Sequence, residues 1–285
     1  MNQLLLLVAA IGVVPLIVGL VRLDRGVTAA SSLPGLASTL WCAFAFNLTF
    51  FWQELWLFIP KALTPGLSPV LYHNNHDWSG EARIAELLQG TGALATLASG
   101  IACLAWLSVH RRLARGWQLF LFWMAFQGLF QSLSQCAIGA IIPGNDVGRA
   151  LAFLGAGVPL KALVLAAAII AMRCAGILLA RFAPAGLAQT EAYGSRRLAY
   201  AMLVSAVACV IISIPFREPR DLIEVVMIPA IVNLVGAGWF VLGISPRASA
   251  PLEARPGGAR WYFPAVLLAL TLAVFQLVLR HGIRF

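Results

Sequence analysis

The run Tyr72-His73-Asn74-Asn75-His76-Asp77-Trp78 is the densest chemistry in the chain: two imidazoles three residues apart with a carboxylate directly after them. On a helical turn, side chains at i and i+3 share a face, so His73 and His76 can reach one ion. Asp77 would then serve as a further ligand or as the group that orients a ring. The expected occupant is one divalent transition metal, zinc or iron. The same residues also suit a capped turn at a membrane surface, with Asn, Asp and Gly80 forming the turn and Tyr72 and Trp78 supplying interfacial aromatics. The spacing does not extend to the histidine boxes of membrane desaturases, because diiron sites need many histidines and the chain has four.

Further groups join these by expected depth. Glu54, in FFWQELWLF, sits near the end of an apolar run, and Glu86 begins the next run on the same side. A carboxylate inside a span costs a few kcal/mol and normally faces a partner or a cavity. Glu54 therefore reads as a third ligand or as the general base for a metal-bound water, or else as an interfacial acid paired with Lys61, as Glu86 would pair with Arg83. Gln127, Gln131 and Gln135 recur every four residues in WQLFLFWMAFQGLFQSLSQCAIGAII, a polar stripe that must point inward. It serves as interhelical glue or as the lining of a polar cavity. The turn Pro143-Gly144-Asn145-Asp146 ends that helix and caps the next. It delivers Asn145 to the pocket and Asp146 as an acid/base candidate on the face that carries His73, His76 and Glu54. Phe216-Arg217-Glu218-Pro219-Arg220-Asp221 is a charged turn, with Arg220 a candidate for an anionic group. Lys161 follows Gly155, Gly157 and Pro159 and reads as lying about a dozen residues into a span, in an interrupted helix that would line the internal polar site.

The elements that must position these residues follow from composition. Of 285 residues, 61% are apolar, 11% are charged, and mean hydropathy is +0.88. Soluble domains carry about 25% charged residues, so the class is an all-α polytopic transmembrane bundle of about eight spans, within a range of seven to nine. At roughly 20 residues each, eight spans use about 160 residues and leave short connections with no soluble domain. Spans are expected near 3–21, 38–60, 84–108, 117–142, 150–172, 198–216, 222–244 and 262–279, with 61–83 as an outer loop or lid. The whole of 1–285 then forms one transmembrane domain. The first run lacks the basic region and cleavage site of a signal peptide, so it reads as a retained helix.

The net charge of +9 comes from 18 Arg and 2 Lys. Twelve Arg fall in the connections after odd-numbered spans, against seven basic residues on the opposite side. This places both termini outside the cytoplasm. No basic stripe with interleaved aromatics is present, which argues against nucleic acid. The five cysteines lie in or at the ends of apolar runs without a CxxC and read as small buried hydrophobes. HExxH, GxSG, the paired EE of CAAX-processing proteases, and Walker and dinucleotide glycine patterns are absent.

The expectation is a multi-pass protein of a bacterial-type inner membrane with an outward-facing polar pocket. The first function it suggests is a metal-dependent, membrane-embedded enzyme acting on a lipid or membrane-delivered substrate. A small transporter or channel using Lys161, Gln131 and Glu54 is the second. An accessory subunit that contacts a membrane-protein partner through aromatic faces is the third.

Overall fold

The computed structural model describes residues 2–23, 35–110, 112–187, 195–245 and 260–284. Arg25, Arg111 and the basic linker with Arg247 and Arg255 lie outside the described residues. In an apolar surround the backbone must satisfy its own hydrogen bonds, which leaves helix as the solution for each apolar run. Helix α1 runs through Asn2–Val8, a π turn Ala9–Val13 and Val14–Arg22. It is followed by α2 (Leu36–Ala62), α3 (Ala85–Val109), α4 (Arg115–Ile141), α5 (Asp146–Phe153), α6 (Val158–Arg181), α7 (Ser195–Ser213), α8 (Ile223–Gly243) and α9 (Tyr262–Leu277).

Helix α4 is the central post, packed by α2, α3, α6 and α8. Its Phe122, Trp123, Phe126 and Phe130 are fully buried. Glycines set the close approaches around it. A Cβ added to Gly100 of α3 would lie 2.7 Å from the Leu129 backbone nitrogen of α4. Gly176 of α6 and Gly243 of α8 bring backbone against backbone at the Trp239 and Gly176 carbonyls. Small residues at such crossings let van der Waals contact and backbone dipoles hold helices together where no hydrophobic force separates them from lipid. Gly176→Val is therefore expected to wedge α6 from α8 and lower the thermal midpoint of the purified protein by several degrees. An unchanged midpoint would show that this crossing tolerates separation.

Among the described residues, six helices are long and apolar enough to cross a membrane. A seventh is obtained when α4 and α5, bent by 54° at their junction, count as one span, and Leu6–Arg22 is a shorter apolar helix. The expected number of eight is thus met only in part. The fifth span is displaced from its expected position. Gly155 takes φ +68°, Gly157 is the extended N-cap and Pro159 occupies the first turn of α6, so the apolar run breaks and the helix restarts at Val158. Lys161 consequently sits in the first turn of α6, with its N–H on the Gly157 carbonyl at 3.1 Å. It does not lie deep in a span.

The bundle is not wholly helical. The 61–83 connection folds into an antiparallel hairpin, β1 (Ser68–Leu71) and β2 (His76–Ser79), and β3 (Ile283–Arg284) pairs with the other edge of β1, in the order β2-β1-β3. Gly66 (φ +81°) and Gly80 (φ +113°) flank the hairpin in conformations that favour glycine. This sheet roofs the ends of α2 and its neighbours.

Candidate functional site

The hairpin decides where the histidines go. Tyr72 and Asn75 close its turn through an N–H to carbonyl bond of 3.0 Å. His73 and His76 are therefore separated by a β-turn, and the shared helical face on which the metal reading relied does not exist. Strand alternation then parts His76 from Asp77: His76 and Trp78 face the bundle, while Asp77 is exposed and accepts the Trp78 N–H at 2.8 Å.

His73 is buried and donates from Nε2 to the Phe216 carbonyl at 2.7 Å, its ring stacked on Phe275. Asn74 beside it pairs reciprocally with the Glu218 backbone, donating at 2.6 Å and accepting at 3.1 Å. These two residues clip the lid to the 216–218 turn. His73 on the Phe216 carbonyl, His76 on Glu54 and Asp77 on the exposed face point to three different surroundings and are not brought together as the zinc or iron site expected of them; among the described residues no three His, Cys, Asp or Glu side chains are grouped to hold a metal.

Burial pushes the His73 imidazole below its ordinary range, and the Phe216 carbonyl offsets this only in part. The unfolded chain takes up this proton before the folded one does, so the stability that neutral His73 provides is present above about pH 6.5 and is lost as pH falls through the depressed folded value. The thermal midpoint is expected to drop between pH 7.5 and 5, and His73→Gln is expected to flatten that slope. Equal slopes in both proteins would remove His73 as the cause.

His76 instead enters a buried chain of three charge-bearing groups. Its Nδ1–H donates to Glu54 Oε2 at 2.8 Å, and Lys61 Nζ lies 3.1 Å from its Nε2 and 3.0 Å from the Leu57 carbonyl. The arrangement that satisfies every atom is Lys61 ammonium to neutral imidazole to Glu54 carboxylate. Glu54 and Lys61 are seven residues apart on α2, two turns along one face, so a single rigid helix sets the ends of the relay. Trp78 forms its wall. The indole stacks on His76 with centroids 5.6 Å apart, and Lys61 Nζ and the Arg149 guanidinium lie 4.6 and 4.8 Å from it. Arg149 is held by Glu86 in a two-pronged pair at 2.6 and 2.7 Å. Glu86 is thus a brace, paired with Arg149 and not with Arg83.

Below the relay lies a cavity of about 200 Å³. Glu54, His76, Gln131, Gln135, Asn145 and Asp146, six of the residues singled out in the sequence, line it together. Ser134, beside the glutamine stripe, also contributes to the wall, as do Gln53 and Glu224, which sequence reasoning does not single out. Gln131 and Gln135 both donate to the Gln53 carbonyl oxygen, the first at 2.8 Å. Asn145 caps α5 by accepting the Val147 N–H at 3.1 Å, which places Asp146 at the helix start facing the cavity. Arg217, only 1% exposed, lies behind two wall residues: its guanidinium binds the Glu224 backbone carbonyl and carboxylate at 2.5 and 3.1 Å and covers the Phe50 ring at 4.4 Å.

The remaining candidates lie elsewhere. Gln127 is one turn below the cavity, bonded to Asn233 at 3.2 Å as interhelical glue. Arg220 ties its own turn together through the Ile214 and Pro215 carbonyls and Glu218. Lys161 and Glu86 are absent from the cavity wall.

The chain is a multi-pass, membrane-type helical bundle with a small β lid over a polar pocket. No protein-family model, curated protein or solved structure matches it.

Proposed function

We propose that the protein is an enzyme embedded in a bacterial-type inner membrane, in which Glu54 and His76 act as a general acid–base pair on a lipid or membrane-delivered substrate. The observation that carries this reading is the Lys61–His76–Glu54 relay, with His76 and Glu54 in the cavity wall. An imidazole whose tautomer is fixed by a carboxylate on one nitrogen can take a proton at the other and return it, the arrangement that general base catalysis requires. Lys61, an ammonium that also donates to the Leu57 carbonyl, supplies positive charge to an anionic intermediate; it must turn away from Nε2 for His76 to take the substrate's proton there, and His76 then returns that proton to the leaving group.

The pocket's depth favours an enzyme over a channel. Under Gln131 the polar stripe gives way to fully buried Phe126, Phe122 and Trp123, and Gln127 is spent on Asn233. A conducting path would need polar groups through that layer. The transport reading also drew on a deep Lys161, which lies in the first turn of α6. No metal enters this mechanism, because the donor set that suggested one is dispersed between the lid clip, the relay and the outer surface.

The test is turnover in proteoliposomes made from total bacterial lipid extract, read by untargeted mass spectrometry. A lipid species that changes with wild-type protein and is unchanged with His76→Asn supports the proposal. No change in any species with wild-type protein overturns it.

A further inference from the structure

We propose that the cavity binds a primary ammonium group, carried either by a lipid headgroup or by a small free amine. This rests on reading the pocket as a substrate site and names the chemistry of what enters.

The wall offers an unpaired carboxylate and amide oxygens without partners, and the donors it leaves free, the amide nitrogens of Gln53, Asn75 and Asn145, are neutral. Asp146 faces the cavity with no hydrogen bond and no ion pair among the described residues. Ser134 has already given its proton to the Phe130 carbonyl at 2.5 Å and offers only lone pairs. The side-chain oxygens of Gln131 and Gln135 are buried without a partner, and Gln131 itself is 0% exposed. Both ring nitrogens of His76 are engaged by Glu54 and Lys61, and both polar atoms of the Asn74 amide are taken by the Glu218 backbone. What the Asp146 carboxylate lacks is therefore a positively charged partner with N–H donors. A primary ammonium has three donors and no acceptor, and a carboxylate and amide oxygens are acceptors of the kind it needs. Charge-assisted bonds of this kind are about twice as strong as neutral ones.

Size agrees with this. A space of 200 Å³ equals roughly six or seven waters at about 30 Å³ each, enough for an ammonium with a short carbon and oxygen tail.

The test uses full-length protein and two probes of equal size, ethanolamine hydrochloride and neutral ethylene glycol, with binding measured by calorimetry and by thermal shift. The proposal expects ethanolamine to bind and glycol not to, with Asp146→Asn and Gln131→Leu each weakening ethanolamine at least tenfold. Equal responses to the two probes overturn it in the wild-type protein alone, whether or not the variants fold. Unchanged affinity in folded Asp146→Asn overturns it as well. Nanodiscs separate the sources: stabilisation by phosphatidylethanolamine over phosphatidylglycerol with no response to free ethanolamine assigns a lipid headgroup, and a response to free ethanolamine in phosphatidylglycerol discs assigns a soluble amine. The enzyme reading fails separately: selective ethanolamine binding without any lipid turnover would leave a binding site and no catalyst, whereas turnover without ethanolamine selectivity would leave the catalyst and refute the ligand class.

Discussion

Replacing Glu54 with glutamine is expected to lower turnover in lipid-extract proteoliposomes by about 10²–10⁴-fold, the usual contribution of a positioned general acid–base group, while leaving the protein folded. Glutamine has nearly the size of glutamate and its carbonyl can still accept the His76 Nδ1–H that Glu54 now accepts at 2.8 Å. What it cannot do is stabilise the imidazolium formed when His76 takes a proton, because its amide carries no charge. The loss therefore falls on the chemical step and not on folding, which a thermal midpoint close to that of the wild type would establish. Asp77→Asn is the internal control. That carboxylate is one residue from His76 but points to solvent, so turnover in this variant should be unchanged. Equal loss in both variants would mean that the negative charge of the lid matters and the relay does not.

Arg217→Ala is expected to be the most destabilising single change near the site, by about 3–5 kcal/mol, the range seen when one partner of a buried ion pair is removed. The guanidinium is nearly inaccessible, holds Glu224 through both its backbone and its carboxylate, and lies over Phe50. Its removal leaves Glu224 as an uncompensated charge in the cavity wall and opens a void against the α2 aromatics. A second substitution separates these two effects. Arg217→Met with Glu224→Gln restores volume and removes the orphaned charge, and should recover most of the loss in chemical or thermal unfolding. If the double variant unfolds as early as Arg217→Ala, the charge is not the cause.

The apolar runs reveal most of the bundle because each run of about 20 residues has one backbone solution in lipid. They reveal less of where the runs break. The stretch around 147–182 has no interruption in hydropathy, and it is Gly155, Gly157 and Pro159 acting on φ and on the first helical turn that separate α5 from α6. Hydropathy averages over those three residues, and Lys161 moved with the boundary. The candidate site was half legible. Glu54, Asp146, Gln131 and Gln135 were placed by depth and by helical period, and depth survives most errors of register.

The histidines were misplaced because i, i+3 spacing has meaning only on a helix. Two four-residue strands carry too few alternations to outweigh it, and β1 finds its second partner in β3, more than 200 residues further on. The Glu54–Lys61 spacing of seven was present in the sequence, yet the pairing runs through His76 and needs the lid to complete it. Arg217 read as a surface charge because it lies in a turn, and its burial depends on α8 and the lid closing over that turn.

The lid joins stretches of chain that are made at very different times. Val70 lies opposite Arg284 in the sheet, and the turn at His73 and Asn74 holds Phe216 and Glu218 across 143 and 144 residues. Glu54, Lys61 and His76 all leave the ribosome early and close together, but the groups that clip the hairpin in place belong to the last third of the sequence. Closing loops of that length is entropically slow relative to the local packing of α2, α3 and α4. During biosynthesis the nascent bundle therefore carries its charged relay without a roof until α7, α8 and α9 have been inserted. The lid over the pocket is complete only once these three helices and the strand after them are in place.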